Sequence, residues 1–290
     1  MGGWVEEWRN KRLLPRVIVL HSSIHPIIQL SNLPIPSSGN PMIDLADVWK
    51  AFGPKQVLAG MTLHVERGET FVIIGRNGIG KTVTFKIILG LLKADKGHVA
   101  IEGQEITRLS EAELIAVRDK FGMVFQGSAL LNWLTVAENV ALPLRERTRL
   151  GRKEIDYRVH QKLALMGLQN AGHLHPAECS GGMKKRAAVA RAIVRDPEII
   201  LYDEPTAGLD PIMATTVSDL IIELRQKLQI TAIVVTHDMA SAYRIADRIG
   251  MLSGGKIIEV GTAEEIRNSQ NPIVRQFIEG RTDEPVGAAR

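Results

Sequence analysis

Thr70-Phe71-Val72-Ile73-Ile74-Gly75-Arg76-Asn77-Gly78-Ile79-Gly80-Lys81-Thr82 decides the fold. Residues 70–75 form a short, continuous apolar run, the pattern of a strand buried on both faces. From Gly75 the chain reads G-x-x-x-x-G-K-T, the spacing of a phosphate-binding loop. Gly75, Gly78 and Gly80 let the backbone bend so that successive N–H groups point at phosphate oxygens. Arg76, Asn77 and Ile79 complete the loop, and the helix that follows aims its positive end at the same anion. Lys81 is spaced to reach the β- and γ-phosphates of ATP, and the Thr82 hydroxyl to ligate Mg2+.

Downstream, residues 198–204 repeat the theme of an apolar strand ending in charge. Here the charges are two adjacent carboxylates, Asp203 and Glu204. An acidic pair ending a strand is ordinarily the start of a solvated loop. On the same sheet as a phosphate loop, Asp203 suits Mg2+ and Glu204 suits a base that polarises the attacking water.

The rest of the chain fits around these two sites. Residues 43–48, 57–65, 98–101, 122–125, 199–202, 232–235 and 249–252 read as strands. Residues 81–92, 154–166, 182–194, 213–228 and 239–246 read as helices. Strands alternating with helices predict an α/β fold on a parallel sheet. Residues 127–196 lack strand signals and read as a helical insert. Residues 1–41 are rich in Pro and Ser without helix or strand period and read as a disordered extension. Residues 42–280 form the ATP-binding domain, with a tail at 281–290. Met42, directly before the first strand pattern, is a candidate native start.

Composition narrows the function classes. The 290 residues are 45% hydrophobic and 23% charged, ordinary for a globular protein able to bury its own core. The single cysteine, Cys179, excludes an intramolecular disulfide framework and fits a reducing compartment. A net charge of +4, half of it within the first 40 residues, is too dilute to indicate a nucleic-acid partner. Residues 17–43 lack charged side chains but are broken by His, Pro and Ser, so they do not read as a membrane span. A membrane role must come through a partner.

Further motifs resemble the ATP-binding cassette (ABC) family of transporter ATPases. Cys179-Ser180-Gly181-Gly182-Met183, followed by Lys184-Lys185-Arg186, is similar to its signature motif. Gln126 stands at a strand end like the Q-loop glutamine, Gly208-Leu209-Asp210 resembles the D-loop, and His237 the switch histidine. Phe52 resembles the aromatic residue that stacks on adenine. The resemblance spans residues 42–280 and implies a P-loop NTPase cassette with a RecA-like core, an antiparallel β subdomain and a helical subdomain. It implies catalytic roles for Glu204, His237 and Gln126, and Mg2+ ligation by Thr82, Asp203 and Gln126. Nucleotide contacts then come from Phe52, residues 75–82, Ser180, Gly181, Gly182 and Asp210. The residues themselves show why Ser180, Gly181 and Gly182 suit an anion: they open a helix at its positive end. The family's arrangement pairs two cassettes head to tail, each signature motif capping the ATP of the other.

Residues 180–193, 125–131, 134–146 and 271–280 are similar to the lipid-transport ATPases that work with MCE proteins, the maintenance-of-lipid-asymmetry group. Met183 departs from the commoner glutamine and removes an amide. This resemblance implies a homodimeric ATPase at the cytoplasmic face of the inner membrane, bound to an integral permease, with an MCE-domain lipid-binding protein and a STAS-domain subunit. Residues 129–144 then serve as core or as the wall of a groove for the permease. The alternatives are a transporter ATPase for another small substrate and a soluble cassette ATPase acting outside transport.

Overall fold

The computed structural model describes residues 41–281. The expected extension and tail lie outside the described residues, apart from Pro41 and Arg281 at their inner ends. Strands β1 (Ile43–Phe52), β2 (Lys55–Val65) and β3 (Thr70–Ile74) lead into α1 (Lys81–Ile88). The short α1 stops before the expected residue 92: Gly90 turns at φ +62°, and Leu91 and Leu92 bond back to the carbonyl of Lys86. Next come β4 (Lys96–Ile101), β5 (Gln104–Glu105), α2 (Glu111–Arg118) and β6 (Phe121–Val124). Helices α3 (Val136–Arg147), α4 (Arg152–Leu165) and α5 (Gly181–Ile193) follow, with no strand among them in the described residues. The chain then runs through β7 (Ile199–Asp203), α6 (Pro211–Leu228), β8 (Thr231–Thr236), α7 (Met239–Ile245), β9 (Arg248–Ser253), β10 (Lys256–Gly261), α8 (Ala263–Arg267) and α9 (Pro272–Ile278).

Two sheets are present among the described residues. One is antiparallel, in the order β2-β1-β4-β5; the other has the order β10-β9-β3-β8-β7-β6. Within the second, β9, β3, β8, β7 and β6 are parallel, and β10 is an antiparallel edge. All five residues of β3 are buried, which is why its sequence is apolar without alternation. The pleat still sorts its side chains. Phe71 and Ile73 join a core with Ile43, Leu45 and Leu63 of the antiparallel sheet; Val72 and Ile74 join a core with residues of α3 to α7. The register aligns Ile74 with Thr236, Asp203 with Val235, and Val124 with Tyr202. The carboxyl ends of four parallel strands therefore meet along one edge, where open α/β sheets place their ligands.

Within the insert, a buried polar residue ties the chain after β6 to the start of α3. Asn139 is fully buried, accepts from Leu131 N–H at 2.7 Å, and donates to the carbonyls of Leu131, Leu134 and Thr135. Thr135 and Glu138 form a reciprocal cap at the start of α3. Of the apolar stretch 129–144, Val136, Val140, Ala141 and Leu144 are buried core, while Trp133 is 74% exposed. Among the described residues no helix is long and apolar enough to cross a membrane.

Candidate active site

The loop after β3 has the conformation that its glycines predict. Gly78 sits at φ +75° and Gly80 at φ +116°. Only glycine enters the second freely, and a Cβ at Gly80 would also lie 3.0 Å from Val57 Cγ1. Gly80 begins α1 with no side-chain cap, so the first N–H groups of the helix are left for another acceptor. Arg76, Asn77, Gly78 and Thr82 are exposed, whereas Lys81 is 6% exposed.

Consecutive residues of the loop meet consecutive residues at the end of β7. The Thr82 hydroxyl donates to Asp203 Oδ2 at 3.4 Å, and Lys81 Nζ lies 3.0 Å from Glu204 Oε1 while donating to the Gly75 carbonyl at 2.7 Å. Lys81 is within ion-pair distance of Glu204 Oε1 but not aligned as a donor to it. Glu204 turns at φ +48°, a region costly for a residue with a Cβ. That turn lets two neighbouring carboxylates serve the same site although strand alternation would separate them.

The carboxylate of Glu204 is 5% exposed and has further partners. His237 Nδ1 lies 2.9 Å from Oε2, and the Thr236 hydroxyl and the His237 backbone N–H donate to the same oxygen at 3.3 and 3.4 Å. Burial alone would push the Glu204 carboxyl up, but the His237 hydrogen bond and the Lys81 charge outweigh it and hold it below the usual carboxylate range. Asp203 goes the other way. Burial and the adjacent Glu204 charge raise it, against the Thr82 hydrogen bond and Lys81. Two adjacent carboxylates thus have opposed environments, the usual mark of divided roles. Thr82 and Asp203 together offer oxygen donors of the kind Mg2+ takes. Among the described residues no cluster of three or more His, Cys, Asp or Glu is built to hold a metal, so phosphate and water oxygens would complete such a shell.

The remaining expected site residues are spread around this centre. Gln126 is exposed two residues beyond β6. Phe52 ends β1 rather than sitting in a loop, is 49% exposed, and has Lys50 Nζ 5.7 Å from its ring centroid. Asp210 caps α6, accepting from the N–H groups of Ile212 and Met213 at 3.0 Å each. The Ser180 hydroxyl caps α5 by accepting from Met183 N–H at 3.2 Å. Gly182 also has a packing reason: a Cβ there would fall 1.9 Å from Met213 Cε. Among the described residues no hydrogen bond or ion pair joins Ser180, Gly181 or Gly182 to the loop at 75–82. Beside Glu204 and His237 a recess of ≈ 500 Å³ opens, lined also by Thr206, Asp238, Ser241 and Arg244.

Sequence reasoning missed three contributors. Thr236 lies just beyond the strand read at residues 232–235, and its hydroxyl reaches Glu204. Lys185 and Arg191 appeared as part of a motif and a helix; both donate to backbone carbonyls beside Gln126. A buried lysine carries no local sequence signal, because its burial is set by the neighbouring segment.

Comparison with known proteins places this geometry. The family model described as "ABC transporter" matches residues 58–207. An intermembrane phospholipid transport system ATP-binding protein, MlaF, of Haemophilus influenzae is 40% identical over 245 residues, covering 84% of this chain and 93% of that protein. A probable ribonucleotide transport ATP-binding protein, mkl, of Mycobacterium tuberculosis is 39% identical, covering 87% of this chain and 71% of that one. Among solved structures, the ADP- and Pi-bound dimer of the ATP-binding cassette MJ0796 superposes with a TM-score of 0.70 at 33% identity, covering 77% of this chain and 99% of that one. The cbiO1 subunit of Clostridium perfringens gives a TM-score of 0.74 at 27% identity, covering 82% and 95%.

Proposed function

We propose a phospholipid cargo for this chain, which belongs to the ABC transporter family and is an ATP-binding, ATP-hydrolysing member of it. ATPases of this family dimerise and work with membrane permeases. The observation that carries the ATPase chemistry is the buried Glu204 carboxylate held between Lys81 and His237 at the mouth of the phosphate loop. The cargo rests on MlaF, a relative covered over 93% of its length.

In this reading the N–H groups of residues 75–80 and the Lys81 ammonium bind and orient the triphosphate. Neutralising charge on the phosphoryl oxygens is the main catalytic contribution. Thr82, Asp203 and Gln126 would hold Mg2+, which supplies further charge neutralisation when bound. Glu204, kept ionised at neutral pH, accepts a proton from the attacking water, and His237 fixes its carboxylate. Phe52 would stack on adenine. Ser180, Gly181, Gly182 and Asp210 of a second copy would close over the nucleotide. The exposed Trp133 and its neighbours would receive the permease at the cytoplasmic face of the inner membrane, in a complex with an MCE-domain protein and a STAS-domain subunit.

Purification of the chain from native membranes, with identification of co-purifying subunits and lipids, tests the cargo. A permease with an MCE protein and bound phospholipid supports it; a solute-binding protein in their place contradicts it. A second reading is favoured by the name of the mycobacterial relative, whose stated cargo is ribonucleotide. It predicts transporter ATPase turnover stimulated by ribonucleosides rather than by phospholipid.

A further inference from the structure

Helix α5 opens on Ser180, and from its first half and its end it also sends two cations to the chain after β6. The Lys185 ammonium donates to the carbonyl of Gln126. The Arg191 guanidinium donates to the carbonyls of Ser128 at 2.7 Å and Ala129 at 2.6 Å. Ser128 and Ala129 sit at φ +63° and +49°. Consecutive non-glycine residues in the left-handed region persist only where their surroundings over-determine them. Here three charge-assisted hydrogen bonds from one helix supply that constraint.

Lys185 is 6% exposed, and its ammonium is pushed down by burial while the charge of Glu204 holds it up. A buried ammonium is costly unless it is bonded. Ala187, Ala188 and Val189 of the same helix are buried core residues, and Lys185 is buried with them rather than being a solubilising surface lysine. It stands about one and a half turns from Ser180 on the same rigid helix.

We propose that Lys185 and Arg191 are positioning residues for Gln126: they clamp residues 126–129 to α5, so that the seating of Ser180 on a nucleotide is transmitted through one helix to the glutamine. The inference rests on the reading of Gln126 as a Mg2+ ligand. In an unclamped turn, Ser128 and Ala129 relax out of the left-handed region and Gln126 loses its fixed place beyond the end of β6.

The test compares the full chain with Lys185→Met, Lys185→Arg, Arg191→Lys and Gln126→Ala by two readouts. In the first, hydrogen–deuterium exchange over residues 125–131 rises about tenfold in Lys185→Met, the worth of one charge-assisted bond. Lys185→Arg restores protection, and Arg191→Lys, which keeps the charge but loses a fork contact, rises too. In the second, the Mg2+ concentration for half-maximal ATP turnover rises about tenfold in Lys185→Met, ATP affinity without Mg2+ stays at the wild-type value, and no further rise occurs in the Gln126→Ala background. Unchanged exchange over 125–131 in both Lys185→Met and Arg191→Lys overturns the clamp. A Mg2+ shift repeated in full in the Gln126→Ala background overturns its action through Gln126. If Gln126→Ala itself leaves the Mg2+ dependence unaltered, the metal-ligand reading falls, and with it the positioning role, while the exchange data separately decide whether the clamp exists. Should Lys185→Met fail to fold, Arg191→Lys carries both readouts.

Discussion

His237 Nδ1 stands 2.9 Å from Glu204 Oε2, and the backbone N–H of His237 donates to the same oxygen. One residue therefore holds the carboxylate from both its ring and its main chain. The ring contact adds to the main-chain one, so the imidazole steadies the carboxylate in one orientation. His237→Ala removes only the ring contact. The expected result is a fall in kcat of about 100-fold with ATP affinity retained, measured by steady-state turnover beside equilibrium nucleotide binding. Equal losses in both would show that the ring acts in binding.

The phosphate loop gives a second prediction. Gly80→Ala forces a Cβ into φ +116° and against Val57, a strain of about 1–3 kcal/mol. Relief of that strain turns the N–H groups away from the phosphates. ATP affinity is expected to drop at least about tenfold, with the urea midpoint lowered as well. A variant that binds ATP like the wild type would show that this conformation is not needed for the cradle.

Away from the site, Arg248 of β9 donates from Nε and Nη2 to the two oxygens of Glu69, at 2.6 and 2.8 Å, and from Nη2 to the His64 carbonyl at 2.9 Å. Glu69 is 7% exposed. Arg248→Met leaves that carboxylate buried without its counter-charge, at a cost of about 3–5 kcal/mol. Glu69→Gln with Arg248→Met is expected to recover part of it. Urea unfolding of the two variants measures both.

A pH dependence follows from Glu102, whose carboxylate receives Lys120 and Arg67. The Lys120 hydrogen bond, opposed by burial and aided by Arg67, lowers its pKa from 4.5 to about 2. A carboxylate depressed in the folded state stabilises the protein above its unfolded value and loses that contribution as pH falls through the folded value. The loss attributable to Glu102 thus falls between 4.5 and about 2. Glu102→Gln is expected to lower stability at neutral pH and to flatten the decline in that window, read from urea midpoints across it.

Much of this architecture was legible in the sequence because its determinants are local. The apolar run of β3, the glycines of the loop and the carboxylates ending β7 each announce themselves within a few residues. The antiparallel sheet was less visible. Its β1 is irregular at Asp47, where φ is +50° and the register shifts between Leu45 and Val48, so simple alternation ends there. Strand β5 and helices α8 and α9 are too short for a periodic signal. At the site, the residue types and their order could be read, but not their mutual contacts. That Lys81 and His237 both engage Glu204, and that Lys185 is buried against Gln126, depends on segments 33 to 123 positions apart brought together by the sheet register. Asp210 and Ser180 likewise reveal only in the structure that their side chains already cap helices.

The central claim is that Glu204, held between Lys81 and His237, is the group that turns bound ATP into hydrolysed ATP. Single-turnover hydrolysis by the purified chain and its Glu204→Gln variant, at saturating ATP and Mg2+, tests it most directly. The account predicts that the variant binds ATP with wild-type affinity and hydrolyses it at least about 100-fold more slowly. Hydrolysis at the wild-type rate would contradict it.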